Sequence, residues 1–93
     1  MAAPRITLSL KANGEFELHL NSEGRDLLVR ELLRLDERND HFHLGPEPVG
    51  EVEVRTVAYD ASDTVIEYGK VLFRPDEWDR EFYPHVMAVP AGG

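Results

Sequence analysis

The chain contains no cysteine. This excludes disulfides, thiolate metal sites, a thiol nucleophile and a Cys-x-x-Cys redox pair, and it suits a reducing compartment. Basic residues are scarce: 10 Lys and Arg stand against 18 Asp and Glu, a net charge of -8. Such a molecule repels nucleic-acid phosphates and anionic lipid headgroups, and it suits a cationic partner. No apolar run approaches the ~18–20 residues of a membrane span. The leucine-rich stretch 27–35 is broken by Arg30, Glu31 and Arg34. The opening Met1-Ala2-Ala3-Pro4-Arg5 lacks the cationic-then-apolar order of a secretory leader, so a cytoplasmic protein is expected. There is no Gly-rich phosphate loop, no H-E-x-x-H and no G-x-S-x-G. Ser9, Ser22 and Ser62 fall in strand, cap and turn contexts, and no nucleophile–base pair can be read. The expectation is therefore a non-enzyme without a cofactor.

What is present reads as one small domain over 1–85, followed by a flexible tail over 86–93 that carries two glycines and a proline. Residues 5–11 and 15–20 alternate apolar and polar, the period of a half-buried strand. Asn13-Gly14 between them suits a two-residue type I′ turn. Ile6, Leu8, Leu10, Phe16, Leu18 and Leu20 form the apolar face of this hairpin. Asn21 or Ser22 can cap a helix running to about Arg38, with Leu28, Leu32 and Leu35 as its buried stripe and Leu27 outside it. Gly24 in the first turn costs up to ~1 kcal/mol against alanine, which predicts a close approach to a neighbouring strand.

His41–Leu44 reads as a short strand, 49–59 and 64–73 as longer ones, and Pro75 as the start of a short helical turn holding Trp78 and Phe82 at i, i+4. Gly69 inside the last strand predicts a bulge or a backbone crossing. The expected fold is an α+β two-layer sandwich: a mostly antiparallel sheet of four to five strands, one long helix across a face, in the order β-β-α-β-β-β plus the C-terminal turn.

Two groups of residues carry candidate function. His41 and His43 lie at i and i+2, so on a strand both imidazoles point to one side. They could share a metal if His19, His85, Asp40 or Glu47 supplied a third ligand, or they could flank a core-facing Phe42 on the open face. Asp76, Glu77, Asp79 and Glu81 crowd a short segment with Trp78 and Tyr83, and Glu51 and Glu53 share a strand face. Aromatics within a charged rim are the usual anchors of a protein interface, so these residues form a candidate docking surface. Leu27 and Tyr59 are further candidates for exposed contacts.

The run Asn21-Ser22-Glu23-Gly24, the leucine helix after it and His41-Phe42-His43-Leu44 resemble the immunity protein 32 family of bacterial polymorphic toxin systems. The resemblance extends from the first strand to about Val54 and leaves the segment from Pro75 to Pro84 unmatched. It implies a small acidic cytoplasmic α+β protein that neutralises a cognate toxin by binding it, with His41 and His43 as motif positions of unassigned role. The partner would then be a basic toxin domain. A metal- or small-ligand-binding module using His41 and His43, or a structural subunit of a larger complex, are the competing classes.

Overall fold

The computed structural model describes residues 2–46, 48 and 50–88. Its elements are β1 (Ile6–Leu10), β2 (Phe16–Leu20), α1 (Ser22–Leu33), β3 (His41–Gly45), β4 (Val52–Glu53), β5 (Thr64–Val65), β6 (Gly69–Leu72), α2 (Asp76–Phe82) and a 3-10 turn at Pro84–Met87. This is an α+β protein with two three-stranded sheets, ordered β2-β1-β5 and β4-β3-β6, in place of the single sheet of four to five strands expected. No described helix is long and apolar enough to cross a membrane.

The hairpin forms as its alternation requires, with Leu8 opposite Leu18 and Leu10 opposite Phe16. Its turn is not type I′. Gly14 is the only described residue with positive φ, at 90°, and its N–H donates to the Lys11 carbonyl at 3.0 Å, while Lys11 N–H donates to Glu15 at 2.8 Å. Asn13 keeps negative φ, so a type I turn followed by one left-handed glycine closes a three-residue loop.

Asn21 caps α1 through its side-chain oxygen, which accepts from Gly24 N–H at 2.7 Å and from Arg5 N–H at 2.9 Å. One side chain thus ties the helix start to the chain entering β1. The close approach expected at Gly24 is present: a Cβ there would lie 2.5 Å from the Arg5 carbonyl oxygen. The helix ends earlier than expected, at Leu33. Asp36 Oδ1 accepts from the N–H groups of Arg38 and Asn39, at 2.8 and 2.7 Å, and Asn39 Nδ2 donates to the Arg34 carbonyl. These local bonds offer the backbone an alternative to further helix.

The inward stripe of α1 is Gly24, Leu27, Leu28 and Glu31, continued by Leu35, not Leu28–Leu32–Leu35. Leu27 packs on the core, and Leu32 is 45% exposed. Helix spacing permits either stripe. The glycine decides between them, because only a residue without Cβ can face β1 at the crossing. The core is Ile6, Leu8, Phe42, Val52 and Val54, with Leu27, Leu28, Leu35, Leu44, Ile66 and Val71 packed around it. The rest of the expected hairpin face, Leu10, Phe16, Leu18 and Leu20, remains substantially exposed.

The stretch 52–55 joins the sheets. Val54 N–H donates to Gly45 and Arg55 N–H to Ile6, at 3.0 and 2.8 Å. Val52 and Val54 are therefore buried, as their alternation predicts, but the expected strand 49–59 reduces to Val52–Glu53. It runs parallel to β3 after a very short return, while the other three described strand pairings are antiparallel, as expected of a mostly antiparallel arrangement. Gly50 makes this return possible, since a Cβ there would lie 2.5 Å from Gly45 N. The expected strand 64–73 divides into β5 and β6, which join different sheets. Gly69 marks the break, and its Cβ position meets only Leu44 at ordinary distance, so no backbone crosses there.

Candidate functional site

The acidic–aromatic segment forms α2 and the turn after it. Pro75 precedes the helix as its N-cap residue, and Asp76, Glu77 and Asp79 occupy the first turn, where the helix dipole favours them. Trp78 packs against Phe82 and Tyr83 in tilted contacts, with ring centroids 4.8 and 5.3 Å away, and the Arg74 guanidinium sits 4.3 Å over its ring. Tyr83 meets His85 edge-on. Yet α2 contains no buried residue; Phe82, Tyr83 and Val86 are exposed, with Asp76, Glu77 and Glu81 around them. The helix does not cover the sheet as the Trp78–Phe82 spacing suggests. Its aromatics pack mainly on one another. Val86 and Met87, assigned above to the tail, belong to the 3-10 turn, and residues 89–93 lie outside the described ones.

Glu51 and Glu53 belong to a different place. Glu51 accepts from the backbone N–H of His43 at 2.8 Å, and this bond holds its carboxyl below the usual range. His43 Nδ1 lies 3.3 Å from the same carboxylate, and His41 Nδ1 lies 2.8 Å from Asp40. The hydrogen bond with His41 lowers the Asp40 carboxyl likewise. The two rings share one strand face, as the i, i+2 spacing requires, with centroids 5.1 Å apart and planes perpendicular. Phe42 between them is buried. A carboxylate on Nδ1 is how proteins orient an imidazole whose Nε2 binds a ligand. Among the described residues, however, no three His, Asp or Glu come together to hold a metal ion. Glu47 lies outside the described residues. His19 sits on β2 in the other sheet, and His85 in the C-terminal turn.

One cluster gave no sequence signal as a site. The polar face of β1–β2 is covered by the segment 55–63: Tyr59 stacks on His19 at 4.0 Å, and Lys11 Nζ bonds Asp63 at 2.8 Å, with Glu17 and Asp60 at 3.6 and 3.9 Å. The hydrogen bond to Asp63 raises the Lys11 pKa. Thr7 and Ser9, the polar residues that alternate with Ile6, Leu8 and Leu10 along β1, are buried beneath it. Among the described residues, Ser9 Oγ, His19 Nε2 and Asp63 Oδ2 find no hydrogen-bond partner; His19 Nε2 is 3.4 Å from Glu17 but poorly aligned. Beside the cluster, Arg5, Thr7, Arg55, Val57, Ala58 and Tyr59 line an open cleft of about 500 Å³. Tyr59, a candidate contact above, thus has a partner in the protein itself.

No family model, curated protein or solved structure matches this chain.

Proposed function

We propose that this protein acts by binding another protein, a cationic one, through α2 and the turn that follows it, in the manner of an immunity protein that neutralises a toxin. The observation that carries the reading is the Trp78–Phe82–Tyr83 aromatic cluster, on and just after a helix with no buried residue and among exposed carboxylates. Aromatic side chains left out of a core and rimmed by charge are where interface energy concentrates. The net charge of -8 adds attraction for a basic surface such as a nuclease must present to phosphate. Glu51, tied to His43, and Glu53 lie outside this surface. Trp78 is the single tryptophan, so its fluorescence reports the contact directly. The test is titration with the purified product of the adjacent gene at two salt concentrations. Binding should weaken with salt, slow in association when Asp76, Glu77 and Glu81 are reversed to lysine, and dissociate faster in Phe82→Ala. An affinity indifferent to salt and to all four changes removes the proposal.

A second reading rests on the imidazoles of His41 and His43, each held at Nδ1 by a carboxylate. In it, the two Nε2 atoms bind a metal or a small ligand.

A further inference from the structure

We propose that β2 is a self-association strand, pairing antiparallel with β2 of a second copy about a two-fold axis through Leu18. Among the described residues, β2 is the outer strand of its sheet, bonded on one side only, to β1. The hairpin bonds fix which backbone groups are free. Lys11 N–H donates to Glu15 and Asn21 N–H to Arg5, so the odd-numbered residues of the strand face β1. The N–H and C=O groups of Phe16, Leu18 and Leu20 therefore point away from it.

Three antiparallel self-registers use these groups over most of the strand. Centring on Glu17 sets two carboxylates opposite each other; centring on His19 sets two imidazoles opposite each other. Centring on Leu18 engages all five residues, pairs Phe16 with Leu20 of the second copy, and pairs Glu17 with its His19. These last are non-hydrogen-bonded positions, where side chains come closest. The sequence Phe16-Glu17-Leu18-His19-Leu20 is thus self-complementary in apolar contact, and this register alone sets neither two carboxylates nor two imidazoles opposite each other.

The strand also lacks the devices that keep an edge solitary: it has no proline and no lysine, and its apolar residues are 38–54% exposed. The surface is separate from α2, and salt distinguishes the two: it weakens attraction to a cationic protein but strengthens the pairing of two molecules that each carry -8.

The test is sedimentation equilibrium of the full chain over a concentration series at low and high salt, with amide exchange followed in parallel. The mass should move from 10.6 kDa toward twice that value, further at high salt. The Leu18 amide should exchange about tenfold more slowly in the associated form, as its N–H becomes bonded. Leu18→Lys should weaken association by about tenfold or more, as a charge at a paired edge does, while Val57→Lys, at a 77% exposed position elsewhere, should not. Should Leu18→Lys fail to fold by circular dichroism, Leu18→Cys replaces it: the chain has no other cysteine, and a short bis-maleimide should then join two copies. A monomer under all conditions, an associated form indifferent to Leu18→Lys, an unprotected Leu18 amide, or a Leu18→Cys chain that does not cross-link would each overturn the proposal.

Discussion

Gly24 shows how one residue can decide what a pattern leaves open. The leucines at 27, 28, 32, 33 and 35 allow more than one inward face, and the hydrophobic period alone favours the wrong one. The missing side chain points to the crossing with β1, where a Cβ would meet the Arg5 carbonyl at 2.5 Å and Ile6 Cγ1 at 3.0 Å. Gly24→Ala should therefore destabilise by about 2 kcal/mol, because overpacking against backbone outweighs the ~1 kcal/mol gained in helix propensity. Urea unfolding measures it; a more stable variant means the helix can move off the strand at no cost. His41 and His43 were legible in the same way, since the i, i+2 spacing places them on one face. Their carboxylate partners were not. Asp40 is adjacent in sequence, but Glu51 arrives only through the short parallel return. If the pair binds metal, nickel should raise the melting temperature, and His41→Ala with His43→Ala should abolish the shift. With two imidazoles and no described third ligand, a shift of only about a degree or two at tenfold excess is expected.

At the scale of elements, existence was easier to read than extent. Both strands of the hairpin, the helix and its cap, the His41 strand and the C-terminal helical turn stand where alternation, capping chemistry and proline place them. What local pattern does not contain is which neighbour each strand finds. Residues 54–59 keep a strand-like composition but leave the ladder once Arg55 has bonded Ile6, and then cross the polar face of β1–β2. That crossing buries Thr7 and Ser9, the polar residues that alternate with the apolar ones of β1, and it needs Tyr59, Asp60 and Asp63 to meet His19 and Lys11 across a long separation in sequence. The same reasoning reassigns the helix. Leu28→Ala removes a side chain packed on the core and should cost about 2–3 kcal/mol. Leu32→Ala, at a position 45% exposed, should cost under about 1 kcal/mol. Equal losses in chemical denaturation place Leu32 inward after all.

The whole molecule is thin, 42 × 34 × 21 Å, and carries its charge on a small core. Its response to pH combines two effects of opposite sign. Self-repulsion at -8 opposes the compact state at neutral pH and relaxes as the solution approaches the pI of about 4.8. Asp40, Glu51 and Asp60 act the other way. Their carboxyls are lowered from 3.8, 4.5 and 3.8, by the bonds with His41, the His43 N–H and the Ser62 N–H respectively. A lowered carboxylate contributes stability that is present above its unfolded pKa and is lost as pH falls through its folded one. These contributions therefore stay intact down to about pH 5 and disappear below about pH 4. At the alkaline end Lys11, raised above 10.5 by Asp63, contributes stability present below that value and lost as pH rises through its folded pKa. Stability should accordingly rise from pH 7 toward pH 5 and fall steeply below about pH 4. Added salt should raise it at pH 7 and matter less near the pI. Urea midpoints across pH at two salt concentrations test both arms, with Asp63→Asn expected to remove the alkaline one. A midpoint that falls steadily from pH 7 to pH 5, a range in which these carboxylate bonds stay intact, means that self-repulsion does not govern the fold there.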